Sequence, residues 1–581
     1  MAPSLLVAAC TFARLATSAI CVEKATTIPD GWQMLDEMPD ASTPMRFSIA
    51  LRQPEMHTLP SKILAHGLLD INDTRSLKTP AKQDVDRVMA WLSCNGISGA
   101  SLDMDWIHVP TTVGQAERLL DTRLRRYSYH GRKPILRATE YNIPDSLSES
   151  IDFIHPIANF MTPEHEVSVE PPLAAEDQGL HRRDVACSPV TTLDCINNLY
   201  GINYTTPDGE SCIRFGIAGF LEQWASYADT QQSFRRSRPD LVKAGYNFTV
   251  ELIQGGENRQ DLGTAGSEAS LDIQYGMAVG FPANVIYYST GGRGQKIDEN
   301  GKPLTGELDD NEPYLELLQY LSSKTNHDLP DVLSISYADD ELSVPRAYAI
   351  RVCHEIGMLT ARGVSVLASS GDGGARGGSN ATCRSNDGSN KEMTISTFPA
   401  SCPWVTSVGA VDNGQEPPNG SNFSSGGFSA YFPRPDWQDT AVEEYVSELN
   451  GHLEGYYNPE MRAVPDISAI GTRFSTIING TPLMLRGTSA STPVLAGMIA
   501  LVNDARVRQG KPVLGWLNKR LYSEEVRSVL QDITTGQSFS CDFSGDNKPG
   551  GWPATKGYDA ITGLGVPNDF TKFMDVLVNM D

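Results

Sequence analysis

Short apolar runs alternate with longer helical stretches from about residue 190 onward. Apolar runs of strand length, bounded by turn residues, are typical of buried parallel strands, and the stretches between them have helical periodicity. The alternation predicts an α/β domain built on a parallel sheet flanked by helices. The predicted strands are residues 215–219, 284–288, 332–337, 364–369 and 405–410.

The polar residues at the ends of these strands locate a candidate site. Ligands of parallel sheets bind at the carboxyl ends of the strands. Ser336, Ser370 and Asp372 all fall at such ends. Residues 373–378 are rich in glycine but lack the Gly-Lys-Ser/Thr of a phosphate loop, so we do not expect nucleotide binding.

A smaller α+β unit precedes this domain, with residues 21–160 as its predicted extent. Residues 46–52 alternate as a half-buried strand does, and Asp84 is predicted to cap a helix. Residues 161–190 are rich in proline and acidic residues, which predicts a linker. The linker holds Arg182 and Arg183, either a processing site or two exposed arginines. Residues 191–581 form the predicted large domain.

Residues 1–20 resemble a secretory signal peptide. A short apolar core at 5–9 precedes the small residues Thr17, Ser18 and Ala19, although Arg14 interrupts the apolar run. The alternative is a disordered terminus. No later run reaches the length of a membrane span. Seven glycosylation sequons also favour secretion: Asn72, Asn203, Asn247, Asn380, Asn419, Asn422 and Asn479.

The net charge and the cysteine content exclude several classes of partner and site. The net charge of −24 argues against nucleic acid and anionic membranes as partners, and it is compatible with a protein that works in acid. Scattered cysteines favour a few disulfides over a zinc site. Seven cysteines lie after residue 186, so at least one of them stays free or pairs elsewhere.

Ser489 is the candidate nucleophile. It lies in the stretch 486–493, Arg-Gly-Thr-Ser-Ala-Ser-Thr-Pro, and an apolar run after Pro493 predicts a buried helix beginning just behind the serine. Backbone N–H groups at a helix N-terminus can face developing negative charge. The alternative is an ordinary capping serine.

A nucleophilic serine needs a base, and histidine is the usual one. The histidines after residue 184 are His327, His354 and His452, and none is followed by Gly-Thr as in subtilisin-type enzymes. Glu268 and Asp272 lie four residues apart, on one face of a predicted helix. A solvated acidic face is the alternative. If buried, the two carboxylates would share a proton, Glu268 could accept the serine proton and Asp272 could orient it, and acid pH would be favoured.

Asp372 lies between two glycines at the end of a predicted strand. A protonated aspartate facing the site could donate a hydrogen bond to an oxyanion, again in acid. The alternative is a turn aspartate.

These motifs, in this order, resemble the sedolisins, or serine-carboxyl peptidases of family S53. The matching stretches include Glu268-x-x-x-Asp272, Ser-Gly-Asp372-Gly and Gly-Thr-Ser489-x-x-x-Pro, together with residues 397–401, 424–433 and 464–468. Residues 141–144 and 151–154 resemble the activation prodomain of that family. The resemblance covers nearly everything after about residue 30.

The resemblance implies a subtilisin-like catalytic domain preceded by an α+β activation prodomain. It implies Ser489 as nucleophile, Glu268 as base, Asp272 as its partner and Asp372 in the oxyanion hole. The motif set looks most like secreted fungal tripeptidyl-peptidases, which release tripeptides from free N-termini in acid. One departure is Ala338, where the family usually has glycine after the cleft strand, so exo- versus endopeptidase preference stays open.

The resemblance also implies one structural calcium ion near the C-terminus. Its predicted ligands are the carboxylates of Asp532 and Asp559 and the carbonyl groups of Ile533, Thr555 and Gly557. Oxygen ligands of this kind suit calcium. Without the resemblance, both aspartates would be assigned to turns.

We therefore expect a secreted, monomeric acid peptidase made as a zymogen. Peptides and proteins are the predicted substrates, and the prodomain is the predicted intramolecular inhibitor. The alternatives are an endopeptidase of the same family and a catalytically inactive binding homologue.

Overall fold

The computed structural model describes most of the chain, with gaps in the linker and several loops. The predicted signal lies outside the described residues except for its last two, and so do Arg182 and Arg183. The described residues are 19–24, 28, 32–129, 134–158, 164–165, 168–170, 187, 189–206, 210–291, 313–344, 346–378, 383–385, 389–412, 417–544 and 550–580.

The N-terminal unit is α+β, as predicted. A four-stranded antiparallel sheet of order β4-β5-β3-β9 forms its centre, and the predicted strand at 46–52 lies within β3, where Phe47 and Ile49 are buried. Its strands are β1 Ala19–Lys24, β2 Trp32–Met34, β3 Pro44–Leu51, β4 Ser101–Asp103, β5 Trp106–Thr112, β6 Arg125–Tyr129, β7 Ile135–Arg137, β8 Glu140–Pro144 and β9 Ile151–His155. Its helices are α1 Leu59–His66, α2 Ile71–Lys78, α3 Lys82–Cys94 and α4 Val113–Leu119.

The large domain contains a seven-stranded, wholly parallel sheet of order β13-β14-β12-β15-β17-β19-β22. The predicted strands correspond to β12, β14, β15, β17 and β19. The strands after the N-terminal unit are β10 Glu164–His165, β11 Ser168–Val169, β12 Arg214–Gly219, β13 Thr249–Ile253, β14 Asn284–Thr290, β15 Val332–Ile335, β16 Tyr337–Asp340, β17 Ser365–Ser369, β18 Thr397–Phe398, β19 Thr406–Val411, β20 Gly427–Pro433, β21 Met461–Val464, β22 Ile467–Ile470, β23 Phe474–Ile478 and β24 Thr481–Arg486.

Helices pack on the sheet, and two of them are almost wholly buried: α8 and α12. The helices are α5 Leu193–Tyr200, α6 Tyr227–Ser237, α7 Pro239–Lys243, α8 Ser267–Gly280, α9 Tyr314–Ser323, α10 Arg346–Ala361, α11 Asp439–Leu449, α12 Thr488–Arg508, α13 Asn518–Leu521, α14 Glu524–Arg527 and α15 Phe570–Asn579.

Glycines allow α8 and α12 to pack closely. A Cβ atom on Gly497 would lie 2.9 Å from the backbone nitrogen of Gly280, so a side chain at Gly497 would force the helices apart. Glycine inside a helix costs about 1 kcal/mol relative to alanine. This contact brings the helix that carries Glu268 and Asp272 against the helix that carries Ser489.

Three predicted details differ from the structure. Helix α3 begins at Lys82, so Asp84 lies inside its first turn and accepts a hydrogen bond from Ser150 at 2.8 Å instead of capping the helix. Helix α12 begins at Thr488 and therefore contains Ser489, because Gly487 serves as its N-cap. The predicted strand 332–337 is broken at Ser336, since the following residues leave the parallel sheet to pair as β16.

Between described residues from 187 onward, three disulfides are formed: Cys187–Cys195, Cys353–Cys402 and Cys383–Cys541. Within the described part of the chain, Cys212 remains an exposed free thiol, as the odd number of cysteines predicted. Among the described residues, no helix is long and apolar enough to cross a bilayer.

Candidate active site

Ser489 lies in the first turn of α12 and is fully buried. Its Oγ donates a hydrogen bond to the carbonyl oxygen of Ser336 at 3.3 Å. Four residues on, Pro493 has no N–H to bond the Ser489 carbonyl, which instead faces the Ser336 hydroxyl at 3.5 Å. The nucleophile is thus held beside the break between β15 and β16.

Glu268 and Asp272 lie one turn apart on α8, and both are fully buried. Asp272 Oδ1 accepts a hydrogen bond from Ser336 Oγ at 2.8 Å. Burial raises the pKa of Asp272 well above its usual value, and the Ser336 hydrogen bond only partly opposes that rise. At acid pH the buried site therefore retains a proton, as the shared-proton hypothesis requires.

The two carboxylates lie close to two buried tyrosines, Tyr287 and Tyr337. Burial raises the pKa of both phenols, and the negative charges of Glu268 and Asp272 raise it further. Glu268 and Asp272 are therefore buried together beneath the sheet ends, and the alternative of a solvated acidic face is wrong.

Asp372 approaches Ser489 from the other side. It follows β17, and its Oδ1 accepts hydrogen bonds from the Thr488 backbone N–H at 2.8 Å and the Thr488 hydroxyl at 3.0 Å. Burial raises the pKa of Asp372 to about 7, while the hydrogen bonds from Thr488 and the charge of Arg486 oppose the rise. Asp372 is therefore protonated in acid and lies beside the residue that precedes the nucleophile.

Two residues in these surroundings had no role assigned from the sequence. Ser336 was recognised only as a strand-end residue, yet it contacts both Ser489 and Asp272. Gln223 follows β12, and its Oε1 accepts the backbone N–H of Glu268 at 3.0 Å. The α8 N-cap is Gly266, which has no capping side chain, so Gln223 satisfies this N–H from another part of the chain. No local signal could have revealed that contact.

Two short strands of the linker pair with the peptidase near this site. Glu164 and His165 pair antiparallel with Ala338 and Tyr337 of β16, and Ser168 and Val169 pair antiparallel with β24, just before Ser489. The described linker residues therefore lie along β16 first and along β24 further on in the chain. Ala338 lies in β16 without positive φ, so its Cβ brings no backbone strain.

Three of the predicted calcium ligands, Asp532, Gly557 and Asp559, lie near one another close to the C-terminus. Asp532 Oδ2 accepts the Gly557 N–H at 2.8 Å, whereas Asp532 Oδ1 is buried without a hydrogen-bond partner. Asp559 is fully buried and accepts hydrogen bonds from Ile561, Thr562 and the Thr562 hydroxyl. A buried carboxylate oxygen without a partner fits a hard cation.

Comparisons with known proteins identify the family of the chain. A model of the Pro-kumamolisin activation domain matches residues 30–160, and a model of the subtilase family matches residues 301–541. The chain is 37% identical to tripeptidyl-peptidase sed4 of Aspergillus fumigatus, over 97% of this chain and 98% of that protein. It is 35% identical to tripeptidyl-peptidase SED2 of Arthroderma otae, over 94% of each.

Among solved structures, Pseudomonas sedolisin, a serine-carboxyl proteinase complexed with pseudo-iodotyrostatin, matches 66% of this chain and 97% of its own at a TM-score of 0.47 and 19% identity. The similarity to the fungal relatives extends over nearly the full length of the chain, and together with the activation domain it defines the family. The chain belongs to the sedolisin family of serine peptidases, as a precursor in which an activation prodomain precedes a subtilisin-like peptidase domain.

Proposed function

We propose that this peptidase releases tripeptides from free N-termini in acid. The observation that carries the proposal is the pair of buried, acid-dependent carboxyl groups on either side of Ser489: Asp272, joined to it through Ser336, and Asp372, joined to Thr488. The fungal relatives are named tripeptidyl-peptidases, which supports the exopeptidase assignment.

In the proposed mechanism, Ser489 attacks the carbonyl carbon of the substrate. Glu268 accepts the serine proton, and Asp272 keeps a proton near Glu268 because its burial disfavours the charged form. Protonated Asp372 donates a hydrogen bond to the oxyanion. Glu268 then protonates the leaving amine as the serine ester forms. Water next attacks the ester, Glu268 accepts the proton of that water, and it returns the proton to Ser489 Oγ as the ester C–O bond breaks and the tripeptide leaves.

A product assay tests this proposal. The acid-treated protein is incubated with a free-N-terminus peptide and its acetylated twin from pH 3 to 7, and products are identified by mass spectrometry. Tripeptides from the free peptide alone, in acid alone, support the proposal. Internal cleavage of both peptides would make the protein an endopeptidase. No cleavage after confirmed prodomain removal would favour the inactive binding homologue.

We also propose that the prodomain and linker inhibit the peptidase within its own chain. The linker pairs with both walls of the cleft, so a substrate could not occupy the same strand positions. Secretion, supported by the sequons and the signal-like N-terminus, would expose the precursor to an acidic exterior where the inhibitor separates.

The prodomain packs on helix α10 through buried charges and two histidines. Arg351 of α10 donates to Asp105 and, at 2.6 Å, to Asp152 of the prodomain, while Glu355 pairs with Lys78 at 3.1 Å. The ring of His155 of β9 lies 5.2 Å from the ring of Tyr348, centroid to centroid, in a tilted arrangement, and His354 contacts Gln53 at 3.0 Å. Burial, helped by the charges of Arg137 and Arg351 respectively, lowers the pKa of His155 to about 3 and that of His354 to about 4.

We expect His155→Phe to move prodomain release to lower pH by about one unit. A histidine has a pKa near 6.5 when exposed, so its lowered pKa stabilises the joined form above about pH 6.5, and that stability is lost as the pH falls toward about 3. Asp105, whose pKa is raised by burial, acts in the opposite direction. Phenylalanine keeps an aromatic ring against Tyr348 but cannot be protonated.

Release is measured by size-exclusion chromatography across a pH series, after cleavage of the linker at an inserted protease site in Ser489→Ala protein. The exposed His327 supplies a matched control, since His327→Phe should leave the midpoint unchanged. An unchanged midpoint in His155→Phe would show that this histidine is not part of the trigger.

We propose that calcium binds at Asp532 and Asp559, with carbonyl groups of Ile533, Thr555 and Gly557 completing the ligand set. The ion would neutralise the buried carboxylate of Asp559 and the half-buried carboxylate of Asp532, and it would fasten the C-terminal loop. We expect chelation to lower the unfolding temperature by about 3 °C or more, and added calcium to restore it, because a ligand that binds only the folded state stabilises it.

Differential scanning fluorimetry of the mature protein measures this effect. Asp532→Ala should remove the calcium response, whereas Asp575→Asn, at an exposed position of α15, should retain it. A wild-type unfolding temperature that does not respond to calcium or chelator would rule out the site.

A further inference from the structure

Two arginines lie side by side where the linker leaves the cleft. Arg486 ends β24 and pairs with Ser168 of the linker. Arg473 immediately precedes β23, whose first residue, Phe474, pairs with Leu485. Arg473 is therefore next to Arg486 across the β23–β24 hairpin. Opposite residues of antiparallel strands project from the same face, so Arg486 shares the face of Ser168.

Glu170 of the linker lies against these two arginines. Its N–H donates to the Met484 carbonyl at 2.8 Å, which continues the strand pairing past Val169. Two residues beyond Ser168, the Glu170 side chain returns to the same face. Its carboxylate accepts a hydrogen bond from the Arg473 backbone N–H and lies in the field of both guanidinium groups, which oppose the rise in its pKa that partial burial causes.

The arginine pair is held in place by the peptidase itself. The Arg486 guanidinium lies 5.4 Å above the ring centroid of Phe423. Arg473 has a φ of 60°, a left-handed conformation that is costly for a side chain of this kind, and its carbonyl accepts the Thr191 N–H at 2.8 Å. Strained backbone held by its surroundings is often found at binding sites.

Among the residues that the structure describes, the charges at this end of the cleft balance only while the linker is present. Burial raises the pKa of Asp412, and a hydrogen bond from Ser421 and the charges of both arginines oppose that rise. Glu170 supplies the second negative charge. When the linker leaves, the two guanidinium groups face one described carboxylate, and the exposed excess positive charge can attract a substrate carboxylate.

We propose that Arg473 and Arg486 form a subsite for an acidic side chain on the C-terminal side of the scissile bond. The inference rests on the proposed peptidase function and names a substrate preference for it. In a substrate that follows the linker path, the scissile bond lies between two positions. The first is the position of His165, opposite Tyr337, and the second is the position of Ser168, opposite Arg486. The position of Glu170 then falls on the third to fifth residue after that bond.

Peptide scanning tests the subsite. Quenched-fluorescence peptides with free N-termini carry Glu, Gln or Lys at each of the third to fifth residues after the expected bond. At one position, kcat/KM at pH 6 should be about three- to tenfold higher for Glu than for Gln. The difference should shrink at pH 4, where the carboxylate is protonated. The kcat/KM of the Lys peptide should lie below that of the Gln peptide at both pH values, because the lysine side chain stays positively charged.

In Arg473→Gln, the Glu-to-Gln ratio of kcat/KM should fall toward one and the Lys-to-Gln ratio should rise toward one. Arg473→Lys should retain part of both differences. Arg527→Gln, at a distant position of α14, should leave them unchanged. Ratios between peptides cancel any common loss of activity. Wild-type ratios near one at every position, or ratios unaltered in Arg473→Gln, would overturn the subsite.

Binding measurements separate this result from failure of the proposed activity. The same peptides are titrated against acid-treated Ser489→Ala protein after removal of the prodomain, with affinities read by fluorescence anisotropy. The subsite is supported if the Glu peptide binds more tightly than the Gln peptide and the Lys peptide binds more weakly than the Gln peptide. This holds even where no peptide is cleaved after its third residue. Equal affinities would contradict it, whatever the cleavage products are.

Discussion

Ser489→Ala is expected to lower kcat for tripeptide release by about 10⁴- to 10⁶-fold. The substitution removes the hydroxyl that forms the serine ester, and the remaining groups around the site can only bind and polarise the substrate. The hydroxyl donates a long hydrogen bond to the Ser336 carbonyl at 3.3 Å, so its removal should disturb the fold little.

Ser491→Ala is the matched control for this variant. Ser491 is equally buried, two residues along the same helix, and its hydroxyl donates to the carbonyl groups of Ala469 and Ile470. We expect it to reduce stability but to leave kcat within about tenfold of wild type. Steady-state kinetics in acid, with circular dichroism as a check of folding, distinguish the two. Wild-type turnover in Ser489→Ala would place the nucleophile elsewhere.

Asp372→Ala is expected to reduce kcat by about 10²- to 10³-fold with a smaller change in KM. The protonated carboxyl would stabilise the oxyanion, a charge that exists only during the reaction. Because the pKa of Asp372 is raised to about 7, the donor is present below that pH, and activity should fall as pH rises through about 7. Above it, the carboxylate would repel the oxyanion.

Asp372→Asn separates the donor from its titration. The asparagine side chain can still accept the Thr488 N–H that Asp372 Oδ1 accepts at 2.8 Å, and it can still donate to the oxyanion. We expect it to retain more activity than Asp372→Ala and to lose the fall near pH 7. Asp261→Asn, at an exposed position, should keep the wild-type profile. An unchanged alkaline fall in Asp372→Asn would assign that titration to another group.

The linker explains why prodomain removal and catalysis must be measured apart. The described linker residues pair with β16 and β24, so under the proposed inhibition a variant that keeps the linker bound would lack activity for a reason unrelated to its chemistry. Each catalytic variant is therefore compared after complete removal of the prodomain.

The local pattern of apolar residues predicted the sheet well where its strands are buried on both faces. Five apolar runs became β12, β14, β15, β17 and β19. The edge strand β13 was missed because only Ile253 among its residues is buried, so its sequence lacks an apolar run. The other edge strand, β22, is buried but short, and it was noticed only as a motif.

The sequence by itself determined the class of site. Glu268, Asp272, Asp372 and Ser489 stand in short motifs whose order and spacing are local properties, and no histidine motif competes with them. The identity of these residues is enough to predict carboxylate-dependent serine chemistry. The position of Glu268 and Asp272 on one helix face likewise follows from helix geometry alone.

Only the tertiary structure decided how these residues meet. Ser336 joins Ser489 to Asp272, Gln223 supports Glu268, and Gly280 against Gly497 sets the distance between the two helices. The pairing of Arg473 with Arg486 and Glu170 is also a product of strand register. Periodicity reports which face of a segment is buried, but not which distant segment covers it, because that choice depends on packing of the whole chain.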